Sequence, residues 1–222
     1  SLPKETLPMI HRRFGFGSVT ESGFPGESRG ILQPPQRWNP VEVATMSYGY
    51  GVSVTALQLA RAYAAIANHG ELHPISLKRV SQTPPSTQLV SRQIADSLFP
   101  MMESVISSKG TAIKASVPGY RIAGKTGTAH KAKGGGYAKN EYMSLFAGFA
   151  PVADPRVAMV VIMDGAKKRG YYGGAVSAPV FSRVMAETLR LMNVPLDKPL
   201  EEPAKPKVMT ATPVQTTLAE RV

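Results

Sequence analysis

Apolar residues recur at spacings of three and four in four stretches of the chain, which is the pattern of helices with one buried face. The pattern predicts a helix over 4–14, a second from a cap at Ser53 or Thr55 to Asn68, a third over 92–106 and a fourth over 176–192. In the last helix we expect an inward stripe made of Val180, Val184, Ala186, Leu189 and Met192. Residues 110–116 are predicted to form one short helical turn.

Three other stretches have the character of strands. Residues 120–129 alternate with a period of two, whereas 142–150 and 156–163 are almost continuously apolar. The short turn over 151–155 joins the last two, so we predict an antiparallel meander of three strands. Shorter strands are predicted at 75–80 and 87–90. The fold class is therefore α/β (α+β), an antiparallel sheet flanked by helices.

Two segments lack periodicity. Residues 15–40 are rich in Gly and Pro but keep five large apolar side chains, which favours a loop packed on a core. From residue 195 onward Pro, Lys, Glu and Thr dominate. We interpret 1–194 as one domain and 195–222 as a disordered tail.

Composition narrows the possible functions. The formal net charge is +11, which suggests an anionic partner, but few aromatic residues accompany the basic ones, so no nucleic-acid partner is expected. The chain has no cysteine, which excludes thiolate chemistry and disulfides. It also has no apolar run of 18 residues that would span a bilayer.

The stretch from Tyr120 to His130 allows two interpretations. Gly119–Thr126 matches the phosphate-loop pattern G-x-x-x-x-G-K-[ST], yet a polar segment precedes it and a glycine-rich one follows, where that motif needs a strand and a helix. The alternative is a strand edge on which Thr126 and Thr128 project to one side and Gly127 lets a ligand approach the backbone. Lys125 would add a cation, and the group would hold a carboxylate.

Two serine motifs are set aside as nucleophiles. Ser28 stands in a G-x-S-x-G match, but prolines surround it where a nucleophile elbow needs a strand and a helix. The single S-x-x-K match is Ser1-Leu-Pro-Lys4, whose position and proline make it a poor candidate. No S-x-N motif occurs in the 222 residues.

Six motifs in order resemble one family. They are GFPGE at 23–27, SYGYGVSVT at 47–55, AIANHG at 65–70, AGKTGTA at 123–129, LFAGFAP at 145–151 and YYGG at 171–174. Together they resemble the C-terminal half of the transpeptidase domain of class B penicillin-binding proteins, closest to the division-specific type. The resemblance implies a fold like that of the serine β-lactamases, present here in its C-terminal part only, and no metal or other cofactor.

The resemblance also implies a reaction and a site. A serine would attack the D-Ala-D-Ala end of a peptidoglycan stem peptide, and β-lactams would acylate the same serine. Lys125, Thr126, Gly127 and Thr128 would be the catalytic strand in this chain, with the nucleophile supplied by an upstream half of the same protein. The substrate-binding residues implied are Tyr50, Tyr142, Tyr171, Tyr172, Gly174 and His130. His130 stands where relatives commonly have arginine.

Three alternatives remain open. One is a D,D-carboxypeptidase, β-lactamase or β-lactam sensor of the same fold, the second is a non-catalytic module that has lost its nucleophile, and the third is the phosphate-loop nucleotidase. The resemblance further implies a place on the periplasmic face of the cytoplasmic membrane, held by an N-terminal helix outside this chain. Its implied partners there are a division glycan polymerase and other divisome proteins.

Overall fold

The computed structural model describes residues 3, 5–34, 38–133, 136–166 and 170–200. The predicted tail beyond residue 200 and the Ser1–Lys4 motif, apart from Pro3, lie outside the described residues. Within them the chain forms six α-helices and one 3-10 turn: α1 (Thr6–Arg13), α2 (Pro40–Met46), α3 (Ala56–Ala67), α4 (Arg92–Ser104), the 3-10 turn (Ile113–Ala115), α5 (Gly173–Val176) and α6 (Ala178–Leu191).

The helix starts follow local sequence chemistry. Thr55 caps α3, since its hydroxyl accepts from the amide of Gln58 while the Gln58 side chain accepts from the Thr55 amide. Ser91 caps α4 through the amide of Ile94. Helix α2, which the periodicity did not predict, begins at Pro40 after a reciprocal cap between Asn39 and Glu42.

The central sheet is the predicted antiparallel meander. Its strands are β5 (Ala123–Lys133), β6 (Gly136–Ala150) and β7 (Val157–Ala166), in the order β5-β6-β7. Thr126 faces Phe146 and Thr128 faces Ser144 across the β5–β6 pair. Because the chain continues as a strand from Ala123 through Lys133, no helix begins at Thr126, and the phosphate-loop interpretation is wrong.

Four short strands form two further ladders. Strand β1 (Ile31–Leu32) pairs with β2 (Val52–Ser53), and β3 (Glu71–Leu72) pairs with β4 (Thr87–Gln88). The predicted strand over 75–80 is wrong, because those residues form no ladder and lie in a surface loop. Of the segment predicted over 87–90, the first two residues are strand.

Each face of the sheet carries a buried cluster, and helices cover both. On one face Phe146 meets Phe181, Met185 and Leu189 of α6, all with no exposed surface. On the other face Phe149 meets Ala67 of α3 and Phe99 of α4. The alternation of strand side chains thus divides β6 between two cores, which is why its sequence is apolar at nearly every position.

The buried face of α6 agrees with the prediction at Leu189 and differs from it at Val184 and Met192, which are exposed. Val184 is 49% exposed, whereas Phe181, Met185 and Leu189 form the inward stripe. The helix has apolar residues on more than one face. Periodicity alone therefore did not show whether the face with Val184 or the neighbouring face with Met185 is buried. The larger side chains of Phe181 and Met185 fill the space beside Phe146.

The residues that directly follow the predicted domain boundary at 194 are hydrogen-bonded to the rest of the fold. The Asp197 carboxylate accepts from the amides of Arg121 at 2.7 Å and Ala153 at 3.0 Å. The amide of Asp197 also donates to the Gly119 carbonyl at 3.2 Å. Residues 195–200 therefore bind to the start of β5, and the disordered tail stays a prediction that falls mainly on residues outside the described ranges.

Candidate active site

Strand β5 is an edge strand, as predicted, and its outer edge pairs with no other strand among the residues that the structure describes. Thr126 and Thr128 project to the same side of this edge, because side chains two positions apart share a face. Both line a cleft of about 440 Å³. A groove of this kind beside an unpaired strand suits a ligand that is bound partly through its backbone.

Three separate segments form the walls of this cleft. Thr126 and Thr128 of β5 form one wall, and the segment Thr111–Lys114, just after α4, forms the second. The third wall is the aromatic turn and the start of α5, from Tyr172 to Ala175. The predicted residues Thr126, Thr128, Tyr172 and Gly174 therefore come together in one place.

Both threonine hydroxyls are held by hydrogen bonds. The main-chain amide of Gly173 donates to Oγ1 of Thr128 at 3.1 Å. The hydroxyls of Thr111 and Thr126 are 3.1 Å apart and share a hydrogen bond. The threonine face of the cleft is thus pre-arranged before any ligand arrives.

The two glycines after Tyr172 permit a close approach of main chain to main chain. A Cβ atom on Gly173 would overlap the carbonyl oxygen of Leu145 and lie 2.7 Å from that of Gly127. A Cβ on Gly174 would overlap the carbonyl oxygen of Thr111. The glycines therefore let α5 lie directly against both other walls.

A row of aromatic rings extends from the end of β5 to the cleft. His130 lies 4.6 Å from the ring of Tyr142, which stacks on Tyr171 at 4.0 Å with an interplanar angle of 13°. Tyr171 contacts Tyr172 at 4.4 Å, and their hydroxyls are 3.0 Å apart. This hydrogen bond to Tyr172 raises the pKa of the Tyr171 phenol above its usual value. Tyr172, at 61% exposed, presents its ring at the rim of the cleft.

Two predicted residues lie elsewhere. Lys125 is on the opposite face of β5 from the threonines, and its ammonium donates to the carbonyl of Thr126 at 3.1 Å. Tyr50 lies in the turn after α2, where its ring packs on Tyr48 at 5.7 Å. Neither is among the residues that line the cleft, whereas Lys114 is.

Sequence reasoning missed Thr111, Lys114 and the buried Ser144. The Ser144 hydroxyl donates to the carbonyl of Tyr171, and the Ser177 hydroxyl donates to the carbonyl of Ser144 at 3.0 Å. These bonds fix the aromatic turn to β6, next to Thr128. One feature of the sequence could have indicated Ser144: it is a single polar residue within an apolar strand. A serine buried in such a strand needs a hydrogen-bond partner.

Two kinds of feature are absent from the described ranges. No group of three or more His, Asp or Glu side chains there is arranged to hold a metal ion. None of the helices described is both long enough and apolar enough to cross a membrane.

An edge strand with two threonine hydroxyls, backed by a glycine-rich turn and flanked by helices, is the arrangement that the resemblance implied. Residues 1–186 match the family model described as the penicillin binding protein transpeptidase domain. The chain therefore belongs to this family.

Named relatives support the assignment. The chain is 43% identical over 197 residues to peptidoglycan D,D-transpeptidase FtsI of Escherichia coli (strain K12), covering 89% of this chain and 34% of that protein. It is 36% identical over 203 residues to FtsI of Buchnera aphidicola, covering 89% of this chain and 35% of the relative. The chain spans about a third to a half of the length of the curated relatives that it matches first.

Solved structures show the same fold. The apo structure of the TP domain from Burkholderia pseudomallei penicillin-binding protein 3 superposes with a TM-score of 0.82 at 43% identity. The superposition covers 89% of this chain and 60% of that one. A peptidoglycan glycosyltransferase structure from Burkholderia ambifaria gives a TM-score of 0.80 at 39% identity, covering 90% of this chain and 60% of that one. The sequence-based expectations of family and fold are confirmed.

Proposed function

We propose that this chain is the C-terminal part of a serine D,D-transpeptidase that crosslinks peptidoglycan stem peptides and is acylated by β-lactams. The observation that carries the proposal is the pair of hydroxyls on Thr126 and Thr128, which face one cleft beside an unpaired strand edge. Such an edge suits an extended peptide that ends in a carboxylate, because the backbone pairs with the strand while the hydroxyls bind the charge.

The reaction divides between two parts of the protein. A serine from the upstream part attacks the carbonyl carbon of the penultimate D-alanine, the peptide C–N bond breaks, and D-alanine leaves with the proton. An amine of a neighbouring stem peptide then attacks the ester, forms the crosslink and returns the serine hydroxyl. The resolving amine is what distinguishes crosslinking from hydrolysis by water.

Each residue of the strand has a proposed role. The hydroxyls of Thr126 and Thr128 bind the terminal carboxylate, and the Thr128 amide is one of two donors to the oxyanion, a contact worth about 10²–10³ in rate in comparable enzymes. Lys125, on the other face of the strand, supplies positive potential and supports proton transfer once the upstream part covers that face. Gly127 keeps the edge open for the peptide backbone.

The aromatic row has a proposed role in binding. Tyr142, Tyr171 and Tyr172 form an apolar rim along which the part of the substrate outside the D-Ala-D-Ala end lies. His130 extends that rim at the end of β5. Gly174 shapes its inner end by close approach to Thr111. Tyr50 is proposed as a binding residue through the resemblance alone.

We also propose that the protein acts in cell division. The relatives named FtsI support a role in division, in which a glycan polymerase and other divisome proteins are the partners. The place of action is the periplasmic face of the cytoplasmic membrane, where peptidoglycan is assembled. An anchoring helix would lie in the part of the protein upstream of this chain.

Covalent labelling by a fluorescent penicillin tests the proposal. We call the chain together with the residues encoded ahead of Ser1 the extended protein. We expect the extended protein to be labelled and the isolated 222 residues to remain unlabelled, because the nucleophile lies upstream. Labelling of the isolated chain would contradict the division of roles, and no labelling of the extended protein would contradict the function.

A substitution localises the effect to the strand. In the extended protein, Thr128→Val keeps the size of the side chain but removes the hydroxyl that faces the cleft. We expect labelling to slow by about tenfold or more, because a hydrogen bond to a charged group is lost. Thr188→Val on α6 is the matched control, since Thr188 bonds only locally to the Val184 carbonyl at 2.8 Å among the contacts described. Equal rates for both variants would exclude Thr128 from the site.

A further inference from the structure

Under the proposed function, on which this inference rests, Thr126 binds a carboxylate through its hydroxyl. A threonine hydroxyl has one hydrogen to donate and can accept up to two hydrogen bonds. A carboxylate only accepts, so each threonine that binds it must keep its own hydrogen available. The question for each hydroxyl is therefore which group already donates to it.

For Thr128 the fold supplies that donor. The amide of Gly173 is 3.1 Å from Oγ1 of Thr128, and it must be the donor of this hydrogen bond because an N–H group can only donate. Thr128 is thereby an acceptor toward α5, and its hydrogen remains free to point into the cleft.

For Thr126 the corresponding neighbour is another hydroxyl, Oγ1 of Thr111, at 3.1 Å. Either oxygen can be the donor in this pair. If Thr126 donates to Thr111, its hydrogen is no longer available for a ligand. If Thr111 donates to Thr126, the hydrogen of Thr126 is available, and the two hydroxyls form a chain of hydrogen bonds that strengthen one another.

The position of Thr111 is fixed on both sides. The carbonyl of Thr111 lies against Gly174, where there is no room for a Cβ atom. The next residue, Ala112, is buried, and its amide donates to the Val105 carbonyl at 2.9 Å. The Thr111 hydroxyl is thus held beside Thr126 by the main chain around it.

We propose that Thr111 is a positioning residue that donates to Thr126 and so makes Thr126 a hydrogen-bond donor to the ligand carboxylate. Thr111 does for Thr126 what the Gly173 amide does for Thr128. The two strand hydroxyls then present two hydrogens to the same acceptor, one backed by the main chain and the other by a side chain.

Acylation of the extended protein tests this inference. The measured quantity is the second-order rate constant with benzylpenicillin, in which the serine–carbonyl bond forms, the lactam C–N bond breaks and the ring nitrogen takes the proton. We expect Thr111→Val to slow acylation about threefold to tenfold, the effect of one hydrogen bond. Thr111→Ser should restore the rate, because it retains the donor. Thr188→Val is again the control.

Two further measurements separate positioning from a general structural effect. With the methyl ester of benzylpenicillin, whose carbonyl oxygen is a neutral and weaker acceptor than the carboxylate, Thr111→Val should slow the reaction less than it does with benzylpenicillin. In a Thr126→Val background, Thr111→Val should have no additional effect, because the group through which it acts is gone. Thr111→Ala serves as a second hydroxyl-deficient variant if the valine does not fit.

The outcomes are distinguishable. If the unsubstituted protein is not acylated, both the proposed function and this inference are wrong. If it is acylated and the Thr111 variants lacking the hydroxyl react at the unsubstituted rate, only the inference is wrong. An equal loss with the ester, or an undiminished loss in the Thr126→Val background, would likewise overturn it, since Thr111 would then act by some route other than the Thr126 hydroxyl.

Discussion

At the scale of single residues, Gln58 shows how one polar side chain can fix a long loop. It is 1% exposed, yet its side-chain oxygen accepts from the Thr55 amide at 2.8 Å. Its side-chain nitrogen donates to the carbonyls of Ser18 at 2.7 Å and Arg29 at 3.0 Å. One residue of α3 therefore caps its own helix and holds both ends of the loop that precedes β1.

Replacing Gln58 by methionine tests this role. The volume changes little, but the buried Gln58 side chain loses its bonds to the Thr55 amide and to the carbonyls of Ser18 and Arg29, so we expect a loss of about 2–4 kcal/mol in the free energy of unfolding. Urea unfolding of the extended protein measures it. Gln93→Met is the matched control, because Gln93 is exposed on α4 and should change stability by less than about 0.5 kcal/mol. Similar losses in both variants would contradict the account.

At the scale of elements, the loop over 20–27 is organised around one carboxylate. Glu27 accepts hydrogen bonds from the amides of Thr20, Glu21 and Ser22 and from the hydroxyls of Thr20 and Ser22. The Ser22 hydroxyl is the largest single cause, and together these donors lower the pKa of Glu27 from 4.5 to about 2. The folded loop thus stabilises the ionised form of the Glu27 carboxylate.

The lowered pKa of Glu27 predicts how its contribution to stability changes with pH. A carboxylate whose pKa falls on folding stabilises the protein above its unfolded pKa of 4.5, and that contribution disappears as the pH falls through about 2. We expect Glu27→Gln to lower the thermal midpoint at pH 7 and to have progressively less effect between pH 4.5 and 2. Paired thermal melts of the two proteins across this range provide the measurement. A difference that is the same at pH 7 and at pH 2 would show that the charge is not the cause.

At the scale of the whole molecule, the segment after α6 joins the C-terminal end of the fold to the start of strand β5. The Tyr120 hydroxyl donates to the Val194 carbonyl at 2.6 Å, and Asp197 bonds to the amides of Arg121 and Ala153. Gly119 accepts from the amides of Asp197 and Lys198. The start of β5 is therefore held by residues about 75 positions later in the chain.

Two truncations of the extended protein test this connection. A protein ending at Leu200 keeps the described contacts, so its thermal midpoint should match that of the untruncated form. A protein ending at Val194 loses both Asp197 bonds and should be less stable by about 2–4 kcal/mol, since a hydrogen bond to a charged group contributes about 1.5–3 kcal/mol net and the exposure of these two bonds to solvent lowers that contribution. Asp197→Ala in the untruncated protein should reproduce most of the loss. Equal stability of the two truncations would show that the segment is dispensable.

The sequence allowed the sheet, α3, α4 and the threonine face of β5 to be predicted, because long periodic segments and strand alternation are local properties. Two-residue strands such as β1 and β3 were missed, since the pairing partner rather than the local pattern creates them. Helix α2 has a strong start at Asn39 but no apolar stripe long enough to detect. Thr111 was missed for a related reason: only tertiary packing brings a loop hydroxyl to Thr126.

The three walls of the cleft come from positions 111–114, 126–128 and 172–175. A nascent chain on the ribosome has no complete cleft until residue 175 has been made and has reached β5, and truncated translation products lack it altogether. Under the proposed function, a nascent chain would therefore begin to react with penicillin only after residues 172–175 have packed against the walls that were synthesised earlier.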